Sequence, residues 1–245
     1  YKKYGTALYQ PKFLKMINPE ILDGTGDMIN IFGFGFARDK GQKDCKQHNE
    51  IEEISYASGT CMFIPKKIID DIGYFDQKFF AYHEELDFGW RARIYGYKSF
   101  YVPQIVIHHY GSAGWGWSGE KFYLLERNRW FVILKNYSLK TITRLFPSLL
   151  IIEIIMLGFF AKKGILMKKI WSYGSIIRSM NQIRKDRKII QKKRKISDEE
   201  IMKCFCSNIY IPPESEESEH MKKFNIILIN LVKLTGLYQR VRIVE

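Results

Sequence analysis

The spacing of apolar residues changes along this chain of 245 residues, and the changes predict its elements. Short runs rich in β-branched and aromatic residues are typical of strands, whereas apolar residues three and four apart indicate a helix. An order of strand, helix, helix, strand and strand predicts a mixed α/β layer. On these patterns we predict strands at 53–65, 97–103 and 105–111, and helices at 66–75 and 84–96.

Glycines mark the ends of both predicted helices. Gly73 follows an isoleucine-rich stretch and is a plausible C-cap, and Gly96 ends the second helix. Residues 1–53, in contrast, are rich in Gly, Asp and Lys and show little periodicity. Turns and loops around short extended pieces are therefore predicted there.

The second half of the chain has a helical pattern. A helix is predicted at 118–137, with Ser118 as its N-cap. Residues 145–161 then form a nearly continuous apolar run that contains Pro147 and Glu153. A run of this length is at the lower limit for a membrane span, and the carboxylate favours a helix that lies on the membrane instead of crossing it.

Positive charge is concentrated after this apolar run. The formal net charge is +13, and residues 161–195 contain thirteen Lys or Arg residues and one acid. Such a block typically meets an anionic membrane surface or a nucleic acid. Interleaved Trp, Tyr and Ile residues favour the membrane, so no nucleic acid is expected as a partner, although a basic nucleic-acid-binding module is the alternative. We expect a protein at the cytoplasmic face of the cell membrane, peripheral or shallowly inserted.

Composition and charge together predict two parts. An apolar fraction of 46% and an aromatic fraction of 15% exclude a disordered chain. Residues 1–135 form the α/β unit in this interpretation. Residues 136–245 form a basic, helical, membrane-associated region, with an acidic linker near 212–219.

The stretch "FAYHEELDFGWR" at 80–91 gathers three acids in apolar surroundings. Glu84, Glu85 and Asp87 fall within four positions at the start of a predicted helix. In isolation they are explained as a solvated first turn, where the helix dipole favours negative charge. The alternative is a catalytic carboxylate, and the neighbouring sequence favours it.

A long motif surrounds these acids and extends from Gly59 through "HHYGSAGWGW" to "ERNRW". It resembles the C-terminal half of the catalytic domain of family 2 glycosyltransferases, and in particular the rhamnosyltransferase-like members. The residues that fall in register with the family signature are Gly73, Phe75, Asp76, Phe79, Phe80, Tyr82, Glu84, Asp87, Arg91, Gly96 and Tyr97.

The resemblance implies a partial GT-A fold with a mixed sheet and helices. It implies transfer of a sugar from a nucleotide-diphosphate donor to a hydroxyl of a glycan or polyprenyl-linked acceptor, with inversion. The family's catalytic base corresponds to Glu85, which stands where the family has Asp, and Glu84 and Asp87 complete the catalytic group. A carboxylate near the acceptor hydroxyl can take its proton as the new bond forms.

Further site residues follow from the same resemblance. His109 corresponds to a histidine that completes a divalent metal site, for magnesium or manganese, whose D-x-D ligands belong to an earlier half of the domain. No D-x-D occurs before Tyr56, so we expect a fragment, a split subunit or a decayed, non-catalytic copy. Candidate substrate-binding residues, each with a structural alternative such as capping or packing, are Gly59, Asp76, Trp115, Trp117 and Arg127.

Overall fold

A computed structural model describes residues 4–111, 118–213 and 218–244. The fold is mixed α/β, as predicted. Four strands form one sheet in the order β2-β1-β6-β5, in which β1 and β6 are parallel and the outer pairs are antiparallel, and β3 pairs with β4 separately. The strands are β1 (Leu8–Lys15), β2 (Leu22–Gly24), β3 (Asp27–Ile29), β4 (Gly35–Ala37), β5 (Glu52–Ile54) and β6 (Ser99–His109).

The helices lie mainly in the second half of the chain. The long helices follow β6, and α3 and α5 pack against each other over most of their length. The helices are α1 (Lys66–Ile72), α2 (Glu84–Ile94), α3 (Gly119–Asn136), α4 (Leu139–Lys162), α5 (Leu166–Lys192), α6 (Asp198–Ile201) and α7 (Ser218–Leu234).

Residues 1–53 contain the short strands β2, β3 and β4, in agreement with the predicted short extended pieces, but the eight-residue strand β1 was not predicted. The sequence pattern does not predict this strand, because Gln10, Pro11 and Lys12 interrupt its apolar residues. Gln10 and Lys12 are nevertheless buried, and the Lys12 ammonium contacts the Asp44 carboxylate at 2.8 Å. A buried polar residue with a distant partner leaves no periodicity in the local sequence.

Two other strand predictions also change. Of the predicted strand at 53–65 only the first two residues are regular, as the end of β5, because the chain then turns at Gly59 and enters α1 after Pro65. The strands predicted at 97–103 and 105–111 are one strand, β6. Its register against β1 shifts between Pro11 and Lys12, where Pro103 cannot donate to the ladder.

The predicted helix ends agree with the structure. Gly73 is the C-cap of α1 at φ 80°, and Gly96, at φ 95°, follows the last turn of α2. Ser118 caps α3, and its hydroxyl accepts a hydrogen bond from the Lys121 amide at 3.3 Å.

One apolar core runs across the predicted boundary near residue 135. Trp90 of α2 is fully buried and packs edge-to-face against Tyr137 at 4.6 Å and Phe205 at 4.8 Å, measured between ring centroids. The Cys206 amide donates to the Ile29 carbonyl at 2.8 Å, which brings the chain after α6 to the end of β3. The later residues thus complete the core of the α/β unit, and the division into two domains stays a prediction.

A buried ionic cluster joins α3, α4 and α5. The Arg129 guanidinium contacts Glu126 and Glu153, and the Lys169 ammonium contacts the same two carboxylates. The Tyr173 hydroxyl also donates to Glu153, at 2.5 Å. Burial alone would raise the pKa of Glu126, but Arg129 and Lys169 lower it to about 2. Glu153, the acid in the apolar run, therefore points into the protein.

The opposite face of α4 is exposed and apolar. Between Phe146 and Ala161 every exposed residue of this helix is uncharged, and Ile154 is 69% exposed. Among the described residues, α4 alone has the length and composition of a membrane-crossing helix, and 33% of its most apolar window is buried in the protein. Basic residues stand at both ends, namely Lys140, Arg144, Lys162 and Lys163.

We predict that Gly89→Ala destabilises the fold. A β-carbon at Gly89 would lie 2.4 Å from the Tyr56 β-carbon and 3.1 Å from its α-carbon, so α2 would have to move away from the Tyr56 segment. Overpacking of this kind costs about 1–3 kcal/mol. Urea denaturation measures the free energy of unfolding.

The matched control is Gly174→Ala in α5, where a β-carbon meets no atom within 4 Å. This variant should gain up to about 1 kcal/mol from helix propensity. A Gly89→Ala protein as stable as the Gly174→Ala protein would contradict the close approach of α2 to Tyr56.

Candidate active site

The three acids of "EELD" point in two directions from the first turn of α2. Asp87 is fully buried, and its carboxylate accepts hydrogen bonds from Arg91 at 2.8 Å, Lys135 at 3.1 Å and Asn136 at 3.1 Å. Burial alone would raise the pKa of Asp87, but Lys135 and Arg91 hold it below its usual value. Asp87 thus anchors α2 to α3, and the Asp87–Arg91 contact is an ion pair between residues four apart on one helix.

Glu84 and Glu85 face the other side and are half-buried. The Oε2 atom of each carboxylate is shielded from solvent and has no hydrogen-bond partner within the described part of the chain. Burial raises the pKa of Glu85 to about 8, and the nearby charges of Glu84 and Asp27 act in the same direction. A carboxyl group that titrates near neutral pH, with an unsatisfied oxygen, is suited to exchange a proton with a ligand.

Asp27 is a further carboxylate of this site, and no pattern in the sequence predicts it. It lies at the start of β3, 7% exposed, and its Oδ1 accepts a hydrogen bond from the Gln10 amide at 3.3 Å. Burial raises the pKa of Asp27 to about 6 and that of the neighbouring Tyr56 hydroxyl well above 10. The stretch "DGTGD", which ends at Asp27, is typical of a turn. Asp27 is recognised as a site residue only because it lies near Glu85 in the folded chain.

Two glycines allow the chain to approach these acids. A β-carbon on Gly59 would lie 3.6 Å from the Glu85 β-carbon, so Gly59 lies beside this acid, and its contact with a substrate stays a prediction. A β-carbon on Gly35 would lie 2.6 Å from Leu86 and 2.9 Å from the Tyr56 hydroxyl. The first turn of α2 is therefore closely packed against β4 and Tyr56.

The five residues before Glu84, residues 79–83, form a strained turn. Phe80 has φ 64° and ψ −62°, and the Ala81 amide donates to the Phe79 carbonyl at 2.8 Å, which closes a γ-turn at positive φ. Tyr82 and His83 also have positive φ, at 67° and 68°. Such conformations cost on the order of 1–3 kcal/mol each for residues other than glycine, and they cluster at functional sites.

His83 connects the strained turn to α2. It is 7% exposed, and its Nδ1 atom is buried without a hydrogen-bond partner in the portion of the chain described. Burial lowers its pKa to about 4, so the imidazole is neutral at physiological pH.

Asp76 and Arg127 are both bound to the protein near this turn. Asp76 caps a short helical turn through the Lys78 amide at 3.0 Å and also contacts Lys135 at 2.8 Å. The Arg127 guanidinium donates to the carbonyls of Lys78 at 3.0 Å and Phe79 at 2.7 Å. A substrate contact of either residue stays a prediction, as it does for Trp115 and Trp117, which lie outside the described residues.

His109 lies at the end of β6 beside a second buried acid. Its Nδ1 atom is 2.5 Å from Asp23 Oδ2, and the Lys40 ammonium is 2.9 Å from Asp23 Oδ1. Asp23, Lys40, Tyr110 and Gly111 line a cavity of about 240 Å³. The described residues contain no group of three metal-binding side chains. The Asp23 carboxylate beside Nδ1 can orient the His109 ring, and a metal contact of His109 stays a prediction.

Comparison with known proteins gives a consistent result. The family model described as glycosyl transferase family group 2 matches residues 10–181. The chain is 42% identical over 48 residues to the low-salt glycan biosynthesis hexosyltransferase Agl10 of Haloferax volcanii, which covers 20% of this chain and 15% of that protein. It is 35% identical over 57 residues to an N-acetylglucosaminyl-diphospho-decaprenol L-rhamnosyltransferase of Mycobacterium tuberculosis, covering 23% of this chain and 19% of that protein. The chain thus matches less than a fifth of the length of these curated relatives.

We predict that Glu85 makes the protein less stable as the pH rises from 6.5 to 8. Folded Glu85 keeps its proton to about pH 8, whereas an unfolded glutamate has lost it above about 4.5, so folding is disfavoured increasingly across this range. Asp27, at about 6, titrates below this window, whereas unfolded His83, at about 6.5, titrates at its lower edge and opposes the effect of Glu85 there, so the slope of Glu85 is clearest above pH 7. The slope approaches about 1.4 kcal/mol per pH unit for one proton.

Urea denaturation at several pH values measures this slope. Glu85→Gln should remove most of it, because the amide does not titrate. Glu50→Gln serves as the control, since Glu50 is exposed. Equal slopes for the Glu85→Gln and Glu50→Gln proteins would show that Glu85 titrates normally.

Proposed function

Because this chain belongs to glycosyl transferase family group 2, we propose that it forms the acceptor side of a GT-A glycosyltransferase site. The reaction transfers a sugar from a nucleotide-diphosphate donor to a hydroxyl of a glycan or lipid-linked acceptor. The observation that carries the proposal is the Glu84–Glu85 pair at the start of α2, half-buried with unsatisfied carboxylate oxygens.

Glu85 is the general base in this proposal. It takes the proton of the acceptor hydroxyl while the hydroxyl oxygen attacks the anomeric carbon of the donor sugar. The bond from that carbon to the diphosphate oxygen breaks on the opposite face, so the configuration inverts. A pKa of about 8 gives Glu85 a high proton affinity, and the ionised fraction that acts as the base grows as the pH rises towards this value.

The neighbouring groups support this role by their charge and position. Glu84 and Asp27 raise the proton affinity of Glu85, and Asp87 holds the helix that carries it. Gly59 leaves one side of Glu85 open to a substrate, because it has no side chain there.

The leaving nucleoside diphosphate gains negative charge, which a bound magnesium or manganese ion would offset. His109, oriented by Asp23, is the residue of this chain that would hold such an ion. The described residues supply no complete ligand set, so further ligands would come from outside them. The side chains of Arg127 and Asp76 are bonded within the protein. We therefore propose that they affect substrate binding indirectly, through the shape of the strained turn.

The relatives guide the choice of substrates. One of them is named as a rhamnosyltransferase that acts on N-acetylglucosaminyl-diphospho-decaprenol. A polyprenyl-diphosphate acceptor would place this chain at a membrane. We propose Trp115 and Trp117 as stacking residues for the acceptor sugar, since aromatic faces suit sugar rings.

The exposed face of α4 is the proposed membrane contact. Its uncharged stripe from Phe146 to Ala161 is flanked by basic residues at both ends, and residues 161–195 carry most of the excess positive charge. An apolar stripe with basic borders is complementary to an anionic bilayer surface. Because Glu153 is bound inside the protein, we propose that α4 lies along the cytoplasmic face and does not cross it.

We predict that Glu85→Gln abolishes sugar transfer. Removal of a general base lowers kcat by about 10²- to 10⁴-fold. The assay uses the gene product that contains this chain at its natural length, a panel of nucleotide-diphosphate sugars, and a polyprenyl-diphosphate-linked acceptor, with the product followed by mass spectrometry.

Glu50→Gln is the matched control and should leave transfer unchanged. Binding of the donor should persist in the Glu85→Gln enzyme, because the base contacts the acceptor. Full transfer by that enzyme would exclude Glu85 as the base, and absence of transfer by the wild-type protein with every donor would contradict the proposed activity.

We predict that Ile154→Glu weakens binding to anionic vesicles by about tenfold or more, because it places a charge in the centre of the α4 stripe. Co-sedimentation with phosphatidylglycerol vesicles measures this binding. Ile105→Glu is the control, since Ile105 is an isoleucine of similar exposure, 57%, that belongs to β6 and not to the α4 stripe. Salt-sensitive binding to duplex DNA without vesicle binding would support a nucleic-acid partner and contradict the membrane contact.

A further inference from the structure

We infer that Asn128 of α3 is a positioning residue for sugar transfer, because it holds the strained turn that leads into Glu84 and Glu85. The inference rests on the proposed function for its catalytic consequence. Its structural part, that Asn128 holds residues 79–83, depends only on the contacts described below.

Asn128 is fully buried, and its amide is oriented by Arg127. The Arg127 Nε atom donates to Asn128 Oδ1 at 2.9 Å, which leaves the amide nitrogen facing the turn. That nitrogen lies 2.6 Å from the Tyr82 carbonyl, 2.9 Å from the Ala81 carbonyl and 3.1 Å from the Phe79 carbonyl. An asparagine has two N–H donors, and the two shortest contacts use both of them.

Arg127 completes the attachment of the turn to α3. Its guanidinium donates to the Phe79 carbonyl at 2.7 Å, so that carbonyl has a donor besides Asn128. Phe79 itself is fully buried and packs edge-to-face against Phe131 of the same helix at 5.7 Å. The γ-turn at Phe80 therefore lies between carbonyl groups that α3 holds by hydrogen bonds, at Phe79 before it and at Ala81 and Tyr82 after it.

The turn determines where the acids lie. The His83 carbonyl accepts the Asp87 amide at 2.8 Å and forms the first hydrogen bond of α2. Glu84 and Glu85 follow His83 directly, so a change in the backbone of Tyr82 or His83 would redirect both side chains. Helix α3 is a fixed reference for the turn because the neighbouring Arg129 belongs to the buried ionic cluster.

Asparagine suits this position because the turn presents several carbonyl oxygens to one side chain. Asn128→Asp has nearly the same shape but replaces the donors with a second acceptor, which repels the carbonyls of Ala81 and Tyr82. It therefore tests the hydrogen bonds with little change in packing. Asn128→Ala removes the donors without adding charge and is used if the aspartate variant fails to fold.

Hydrogen exchange followed by mass spectrometry on this 245-residue chain tests the structural part. A peptide that covers residues 79–87 should exchange about tenfold faster or more in Asn128→Asp than in the wild type. Ile133→Val is the control, because it shortens a fully buried side chain about one and a half turns away on α3 and leaves the turn's hydrogen bonds intact. Equal exchange of this peptide in all three proteins would overturn the inference.

Kinetics of the natural-length gene product test the catalytic part. In Asn128→Asp, kcat should fall about tenfold or more while the donor KM changes less than about twofold, because the turn aims the base and does not bind the nucleotide. Ile133→Val should retain both values. An unchanged kcat in Asn128→Asp would overturn the positioning role. If the wild type transfers no sugar, the proposed function fails, and the exchange result still decides whether Asn128 holds the turn.

Discussion

The buried charges around α3 are the constraint on which the proposed site depends. Arg129 lies fully inside the protein between Glu126 and Glu153, and Lys169 contacts the same two acids. Loss of one partner from such a cluster leaves an uncompensated buried charge, at a cost of about 3–5 kcal/mol. The cluster thus fixes the position of α3 against α4 and α5. The helix in turn presents Asn128 to the strained turn.

The same sequence motif yields carboxyl groups of opposite character. Asp87 is surrounded by Lys135, Arg91 and Asn136, and its pKa is lowered. Glu85, two residues earlier, faces Glu84 and has a raised pKa. A site that separates the pKa values of neighbouring acids in this way assigns one to structure and another to proton transfer. Because these acids occupy one helical turn, the difference between their pKa values comes from the residues of other elements that each side chain contacts.

Local patterns in the sequence were sufficient for the helices and for part of the site. Ser118 and Gly73 act as the caps that their residue types predict, and the motif around Glu84 predicted the family correctly. Strand β1 and Asp27 could not be predicted, since their polar residues are buried by partners far along the chain. Propensity and periodicity describe neighbours in sequence, whereas such burial depends on tertiary contacts.

The strained turn also shows where selection for stability and selection for chemistry diverge. Phe80, Tyr82 and His83 occupy backbone conformations that glycine adopts without steric cost. A glycine at any of them would relieve strain in the folded state, but it would remove an aromatic or imidazole group next to the acids and loosen the approach to α2. A search for thermostable variants would therefore favour glycine substitutions in this turn that impair the site. Stability and activity measured on the same glycine variants would separate selection for stability from selection for chemistry.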